Sequence, residues 1–297
     1  MPRTLDRGIT VRAMGGLGNQ LFQYAAGRSM AVRLGVQLFI DSRLYKKNTN
    51  RPFLLNQFRH NAVFIERNYL PYTVHKYFWK KFELPRLEAF GRYVAEADYD
   101  KLEQIKTARL GGYFFGYWQD PSLFIDIEDT LRQELQYVAD PSFENAKMLD
   151  HIKSCCAVSV HIRRGDYLTF ARHREMFATC PPAYYSKAFD LLISRLKQHP
   201  VFFVFSDDLD WAKENLKFSG KAVFVNINDD ANSFEDLRLM AACQHHVIAN
   251  STFSWWGAWL NNSPDKMVVA PNTWSPPKGS PRNNLLLEGF HLIENYQ

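Results

Sequence analysis

Short apolar runs alternate with amphipathic stretches along this chain, the pattern of strands alternating with helices. Residues 9–14 read as a short strand that leads into the glycine-rich Gly15-Gly16-Leu17-Gly18-Asn19-Gln20. Between residues 21 and 34, apolar positions at Leu21, Tyr24, Ala25, Met30 and Ala31 predict a helix. Gly35 stops it, and residues 36–41 form the next strand, completing a βαβ unit. Residues 42–110 are rich in Phe, Tyr, Asn and Lys without a clean period, so short helices and long specificity loops are expected there. Residues 111–118 read as a buried strand leaving into a loop, and residues 124–135 as a helix.

The second half has a cleaner pattern. Strands are expected at 156–162, 201–205, 222–227, 246–249 and 266–270, with helices at 182–198, 208–216, 233–243 and 253–260. Pro181 and Pro182 stand at the start of their helix, where proline is tolerated, and Ser233-x-x-Asp236 is similar to a capping box. Five strands alternating with four helices predict a parallel, doubly wound sheet. The fold expected is α/β, two Rossmann-like domains with parallel sheets. The domains are drawn as 1–145 and 146–297, joined near residues 136–154.

Composition narrows the partners. The chain has 297 residues, 46% of them hydrophobic and 15% aromatic, enough for a full core and high enough in aromatics to hint at carbohydrate handling. A formal charge of +5 suits anionic small molecules or an anionic membrane surface, and no nucleic-acid motif is present. Cys155, Cys156, Cys180 and Cys243 lack CxxC or Cys/His ligand spacing, as reduced thiols of a cytosolic protein would. Residues 1–7 contain no apolar core for a signal peptide, and no apolar run reaches membrane-spanning length. A soluble, cytoplasmic chain is therefore expected.

The chemistry concentrates at three strand ends of the second half. His161-Ile162-Arg163-Arg164-Gly165-Asp166 puts adjacent arginines where a buried strand runs out, and guanidinium forks match phosphate oxygens. Ligands of open α/β sheets bind at that edge. Ser206-Asp207-Asp208 is the second segment. Asn250-Ser251-Thr252 is the third, ahead of a helix whose N-terminus attracts anions. Taken singly, each has an ordinary reading, as an Arg-Asp surface pair, as helix capping or as N-capping. Their convergence favours a nucleoside diphosphate instead. Asn228 and Asp229, after the third strand of this half, are candidates for recognition of the nucleotide's base, with loop polarity as the ordinary reading.

Two alternatives stay open. Asp208-Leu209-Asp210 reads as a DxD that could hold a divalent cation against a diphosphate, although the arginine pair can neutralise phosphates without metal. Residues 16–21 form a defective dinucleotide fingerprint with Leu21 in place of the third glycine, and Asp41 ends the second strand about where a ribose-binding acid would lie. A nicotinamide oxidoreductase is the rival from another class, and a non-catalytic sugar-binding module is a third reading.

Together, the segments Gly15 to Ala25, His161 to Asp166 and Asn250-Ser251-Thr252-Phe253-Ser254-Trp255-Trp256-Gly257-Ala258-Trp259-Leu260 resemble the α-1,2-fucosyltransferases, glycosyltransferase family 11. The resemblance implies a GT-B-like fold, two Rossmann-like domains with parallel sheets facing a central cleft, and inverting, metal-free transfer of fucose from GDP-β-L-fucose to the 2-hydroxyl of a terminal galactose. No cofactor is implied, since GDP-fucose is a substrate. It implies donor binding by the C-terminal half, with Arg163, Arg164 and His161 at the leaving diphosphate. Asp207, Ser251 and Thr252 join the donor side, and Asn19 reaches it from the other domain. Gly16, Gly18 and Gln20 then form an acceptor-side loop. The general base is open among Asp166, His173, Glu175 and Asp41, with orientation of the arginines an equal role for Asp166. The absence of the animal relatives' N-terminal anchor implies a bacterial type, acting in the cytosol on a lipid-linked or surface-polysaccharide precursor. Lys76, Tyr77, Phe78, Trp79, Lys80 and Lys81 offer a peripheral membrane contact, with a solvated helix face as the ordinary reading.

Overall fold

The computed structural model describes residues 8–46, 51–66, 92–95, 111–165, 180–274 and 284–295. The chain divides into two units, Met1–Val138 and Ala139–Gln297.

In the first unit, β1 (Gly8–Arg12) pairs in parallel with β2 (Gln37–Asp41) and with β5 (Gly111–Phe115). The edge strands β3 (Val63–Ile65) and β4 (Arg92–Ala95) complete the order β3-β2-β1-β5-β4. Both edge strands lie within the stretch that lacked a readable period. Helix α1 (Leu17–Leu34) begins four residues before its apolar pattern does. The Gly16 carbonyl accepts from the Asn19 and Gln20 amides at 3.0 and 3.1 Å, so the glycine-rich segment is itself the first turn. Gly35 ends the helix with φ of 61°, as its sequence position implied.

Residues 124–135 are not one helix. Asp120 caps a 3₁₀ turn at Pro121–Leu123 and a second turn spans Ile125–Ile127 before α2 (Glu128–Glu134). Phe124 leaves helical backbone (φ −140°) and buries its ring against Phe22, 5.9 Å away. A buried aromatic thus overrides the helical spacing.

The second unit contains a six-stranded sheet in the order β11-β10-β9-β6-β7-β8, parallel throughout. Its strands are β6 (Ala157–Ile162), β7 (Val201–Ser206), β8 (Ala222–Phe224), β9 (His245–Val247), β10 (Val268–Pro271) and β11 (Phe290–Ile293). This is a doubly wound order whose direction of growth reverses between β6 and β9. The sixth strand escapes sequence reading because β11 is a partly exposed edge. β6 is buried at every position, as a central parallel strand should be. Along β7, Phe202 and Val204 join the core under α4 (Pro182–Arg195), while Phe203 and Phe205 face the opposite layer.

Helix α3 (Phe143–Lys153), capped by Ser142, was not foreseen because Asn145 and Ile152 are its only buried residues. It lies whole within the second unit, and a boundary at 145/146 would cut it. The remaining helices are α5 (Leu209–Asn215), α6 (Ser233–Ala242) and α7 (Thr252–Leu260). The expected capping box at α6 is absent. Asn232 is the N-cap, the Ser233 hydroxyl donates to the Asp230 carbonyl, and Asp236 accepts from Asn228. Among the described residues, no helix is long and apolar enough to cross a membrane.

Candidate active site at the carboxyl edge of the second sheet

Register sets the site. Ile162 pairs with Ser206, so β6 and β7 end level and release Arg163-Arg164-Gly165 beside Asp207-Asp208. Asp207 organises the arginine loop. Its carboxylate accepts from the Arg164 amide at 2.9 Å and the Gly165 amide at 3.0 Å, and it pairs with Arg163 Nη1 at 3.1 Å. A Cβ on residue 165 would lie 2.9 Å from Asp207 Oδ2, so only glycine lets the carboxylate approach.

Arg164 is held differently. Its guanidinium lies over the Trp211 indole, 3.8 Å from the ring centre, and its Nε stands 3.5 Å from Asp208 Oδ2. Stacking of this kind fixes a guanidinium plane without consuming its donors. Among the described residues the terminal Nη groups of Arg164 take no protein partner. Asp208 is fixed as the cap of α5, accepting from the Trp211 amide at 3.1 Å. Trp211 is the site residue that sequence reading missed. Its one signal was its place in the first turn after the aspartates.

His161 is buried at the end of β6 with its ring 5.7 Å from Phe253. Burial, reinforced by the Arg163 charge, pushes its pKa down to about 3, so the imidazole is neutral. Its Nδ1 is buried without a hydrogen-bond partner among the described residues. Neutral and weakly basic, it can hydrogen-bond a ligand but adds no charge.

Across the β6/β9 reversal, Ser251 occupies the N-cap position of α7 without a side-chain capping bond. The first turn holds no acidic residue, so no side-chain charge opposes an anion at this helix start. The tryptophans that follow are core. Trp255, Trp256 and Trp259 pack on one another at 5.0–6.4 Å, and Trp255 Nε1 donates to the Leu285 carbonyl at 2.8 Å. Thr252 opens the helix itself.

Other candidates have internal partners. Asn228 exchanges amide bonds with Asn145 at 2.8 and 3.0 Å and donates to Asp236, whose carboxyl burial pushes up to about 6. Asp229 caps the 3₁₀ turn Asp230–Asn232. Asp210 Oδ1 accepts from Lys213 Nζ at 3.0 Å. A cavity of about 330 Å³ at the ends of β7 and β8 is lined by Ser206, Asp207, Asp208, Asp210, Lys213 and Asn226. Among the described residues, no group of three His, Cys, Asp or Glu could hold a metal ion.

In the first unit, Asn19 Oδ1 accepts from Gln119 Nε2 at 2.8 Å, Gly16 is the N-cap of α1, and Gly18 lies in its first turn. Gln20 is fully buried. It donates to the carbonyls of Gly15 (3.2 Å) and Pro52 (2.8 Å) and accepts from the Leu54 amide at 2.9 Å, which ties a loop down. Asp41 is no candidate base. Burial alone would raise its pKa, but the Arg43 fork at 2.7 Å and the Tyr113 hydroxyl at 2.8 Å outweigh it and hold the carboxylate ionised. Asp166, His173, Glu175 and the 76–81 run lie outside the described residues.

The model of glycosyl transferase family 11 matches residues 2–284. The chain belongs to that family. As a family 11 chain it is 32% identical to an alpha-1,2-colitosyltransferase of Escherichia coli over 90% of its own length and 92% of the relative's. It is 33% identical to the O-antigen biosynthesis glycosyltransferase WbnK of Escherichia coli, covering 88% of this chain and 92% of that one. A shorter match, 36% over 104 residues, reaches galactoside alpha-(1,2)-fucosyltransferase 1 of Saimiri sciureus, covering 35% of this chain and 28% of that one. Among solved structures, a point mutant of Arabidopsis thaliana FUT1 in complex with GDP superposes with a TM-score of 0.55 at 12% identity, over 92% of this chain and 72% of that one. The fold of this family 11 chain is therefore the GT-B-like class expected from its motifs.

Proposed function

We propose that the protein transfers L-fucose from GDP-β-L-fucose to the 2-hydroxyl of a terminal galactose, with inversion at the anomeric carbon. The second unit binds the donor and the first the acceptor. The observation that carries this reading is Arg164, stacked on Trp211 with its Nη groups unpartnered among the described residues, at the same sheet edge as the uncapped start of α7. In the transfer, the bond from C1 to the β-phosphate oxygen breaks and its electron pair leaves with GDP. The acceptor O2 forms the new bond to C1 and loses its proton. Charge therefore grows on the β-phosphate, where Arg163, Arg164 and the helix end stand pre-oriented. Since the guanidiniums are anchored to Asp207 and Trp211 beforehand, little reorganisation accompanies the step.

Asp166 follows these arginines directly and serves either as the base for the acceptor hydroxyl or as their orienting carboxylate. His161 donates or accepts a hydrogen bond at the donor. Ser251, Thr252 and Asn19 complete the donor contacts. The arginine pair supplies the positive charge, so no divalent cation is required. The acceptor class that fits is a galactose-terminated glycan or lipid-linked oligosaccharide met in the cytoplasm, and the charge of +5 supports peripheral contact with an anionic surface.

A colitosyl donor is the second reading, supported by the colitosyltransferase relative that spans most of the chain. Turnover of GDP-fucose and GDP-colitose, each with lactose as acceptor and with EDTA present, decides between them. GDP-fucose turned over at an undiminished rate in EDTA is the expected result. Turnover of GDP-colitose alone gives the second reading, and loss of activity in EDTA contradicts the metal-free mechanism.

A further inference from the structure

The first unit holds a backbone strain and an exposed aromatic side by side. Trp118, just past β5, has φ of 55°, a left-handed conformation that is a genuine outlier for a bulky residue. Such strain persists only where surrounding contacts over-determine it, and it clusters where a ligand is clamped. Here the ties are plain. The Gly116 carbonyl accepts from Gln23 Nε2 at 3.0 Å, and the Asp120 amide donates to the Trp118 carbonyl at 2.8 Å. Gln119 Nε2 reaches Asn19 Oδ1 at 2.8 Å. The Trp118 ring is 2% exposed, set edge-on to Phe114 at 5.3 Å, whereas Tyr117 is 42% exposed.

We propose that Tyr117 is a specificity-determining residue whose outward ring, held by this turn, is the stacking platform for the acceptor's terminal hexopyranose. The proposal rests on the reading of the first unit as the acceptor side. Its place fits, at the carboxyl edge of a parallel sheet and beside the loop that opens α1. The chemistry fits as well. One face of galactose presents a run of C–H groups that packs on an aromatic ring. Tyr45, on the same side of the glycine-rich turn, has its hydroxyl donating to the Gly15 carbonyl at 2.7 Å. The Tyr45 ring packs on Phe53 at 5.4 Å.

The test uses the full chain with GDP-fucose and lactose. Y117A is expected to raise the KM for lactose about tenfold, the size of a lost aromatic contact. It should leave the KM for GDP-fucose and the acceptor-independent hydrolysis of GDP-fucose unchanged. Y117F should keep the wild-type KM for lactose. Saturation transfer from aromatic protons to the galactose C–H groups should be present in wild type and lost in Y117A, with identical circular dichroism. An unchanged KM for lactose in Y117A overturns this inference alone, whereas a wild type that hydrolyses GDP-fucose without transfer to lactose overturns the galactoside acceptor of the proposed function and this inference with it. A wild type that does not turn over GDP-fucose overturns the proposed function and this inference with it.

Discussion

The Asp207 carboxylate sits against Gly165 so closely that no side chain fits between them: Oδ2 accepts the Gly165 amide at 3.0 Å, and a Cβ there would stand 2.9 Å away. Because the same carboxylate pairs with Arg163, the contact fixes where the arginine loop leaves β6. Gly165→Ala is expected to shift that loop and lower kcat by roughly a hundredfold, the cost of misplacing a catalytic group by about 1 Å. Thermal unfolding should barely change, since the loop lies at the surface end of the sheet. Steady-state kinetics beside a melting curve check this.

On the proposed reading, Trp211 acts on the donor only through Arg164. Trp211→Leu keeps an apolar residue on α5 but removes the π face beneath the guanidinium. A loss of about 1 kcal/mol is expected, a three- to tenfold rise in the KM for GDP-fucose with the KM for lactose unchanged. Equal changes in both constants would point to general damage.

Ion pairs in the first unit should differ sharply in worth. Glu134 receives both the Arg28 fork (2.7 and 3.0 Å) and the Tyr24 hydroxyl (2.5 Å), with its side chain only 14% exposed. Removing it takes a partner from the fully buried Tyr24 hydroxyl and the largely buried Arg28 fork, so Glu134→Ala is expected to cost about 2–3 kcal/mol. The Arg33–Asp126 pair is 42% and 43% exposed, and Asp126→Asn should cost less than about 1 kcal/mol. Urea unfolding of the two variants measures the contrast.

Acid should destabilise the second unit through His246. Its ring is buried, with Nδ1 2.7 Å from Ser159 Oγ and Nε2 receiving the Asn261 amide at 2.8 Å. Burial, then the Lys266 and His245 charges, lower its pKa to about 3. The unfolded chain binds this proton near pH 6.5 and the folded one does not. The stabilisation is therefore complete above about pH 6.5 and is lost as pH falls toward 3, at up to about 1.4 kcal/mol per pH unit. His246→Gln should flatten that part of the stability curve, read from urea midpoints across the range.

The legibility of the chain followed its physics. β6 and β7 were readable because parallel central strands are apolar throughout, and the arginine pair stood out because charge at the end of such a strand is conspicuous. β11 and α3 were not, since an edge strand and a mostly exposed helix carry little apolar period. Gln20 reads as part of an acceptor-side loop and Asp41 as a ribose-binding acid or a base, yet both are buried with their side-chain polar atoms engaged in tying a loop down or matching Arg43 and Tyr113. Trp211 reads only as one position of the 208–216 helix, since one-dimensional spacing does not reveal that a guanidinium lies on its face.

The central claim is tested by the rate of GDP release from GDP-fucose by Arg164→Ala, measured with lactose present and with folding verified by circular dichroism. Loss of this donor should cost about 2.7–4 kcal/mol in the barrier, a fall in kcat of roughly a hundred- to a thousandfold. A folded Arg164→Ala enzyme that releases GDP at the wild-type rate would contradict the role given to this arginine.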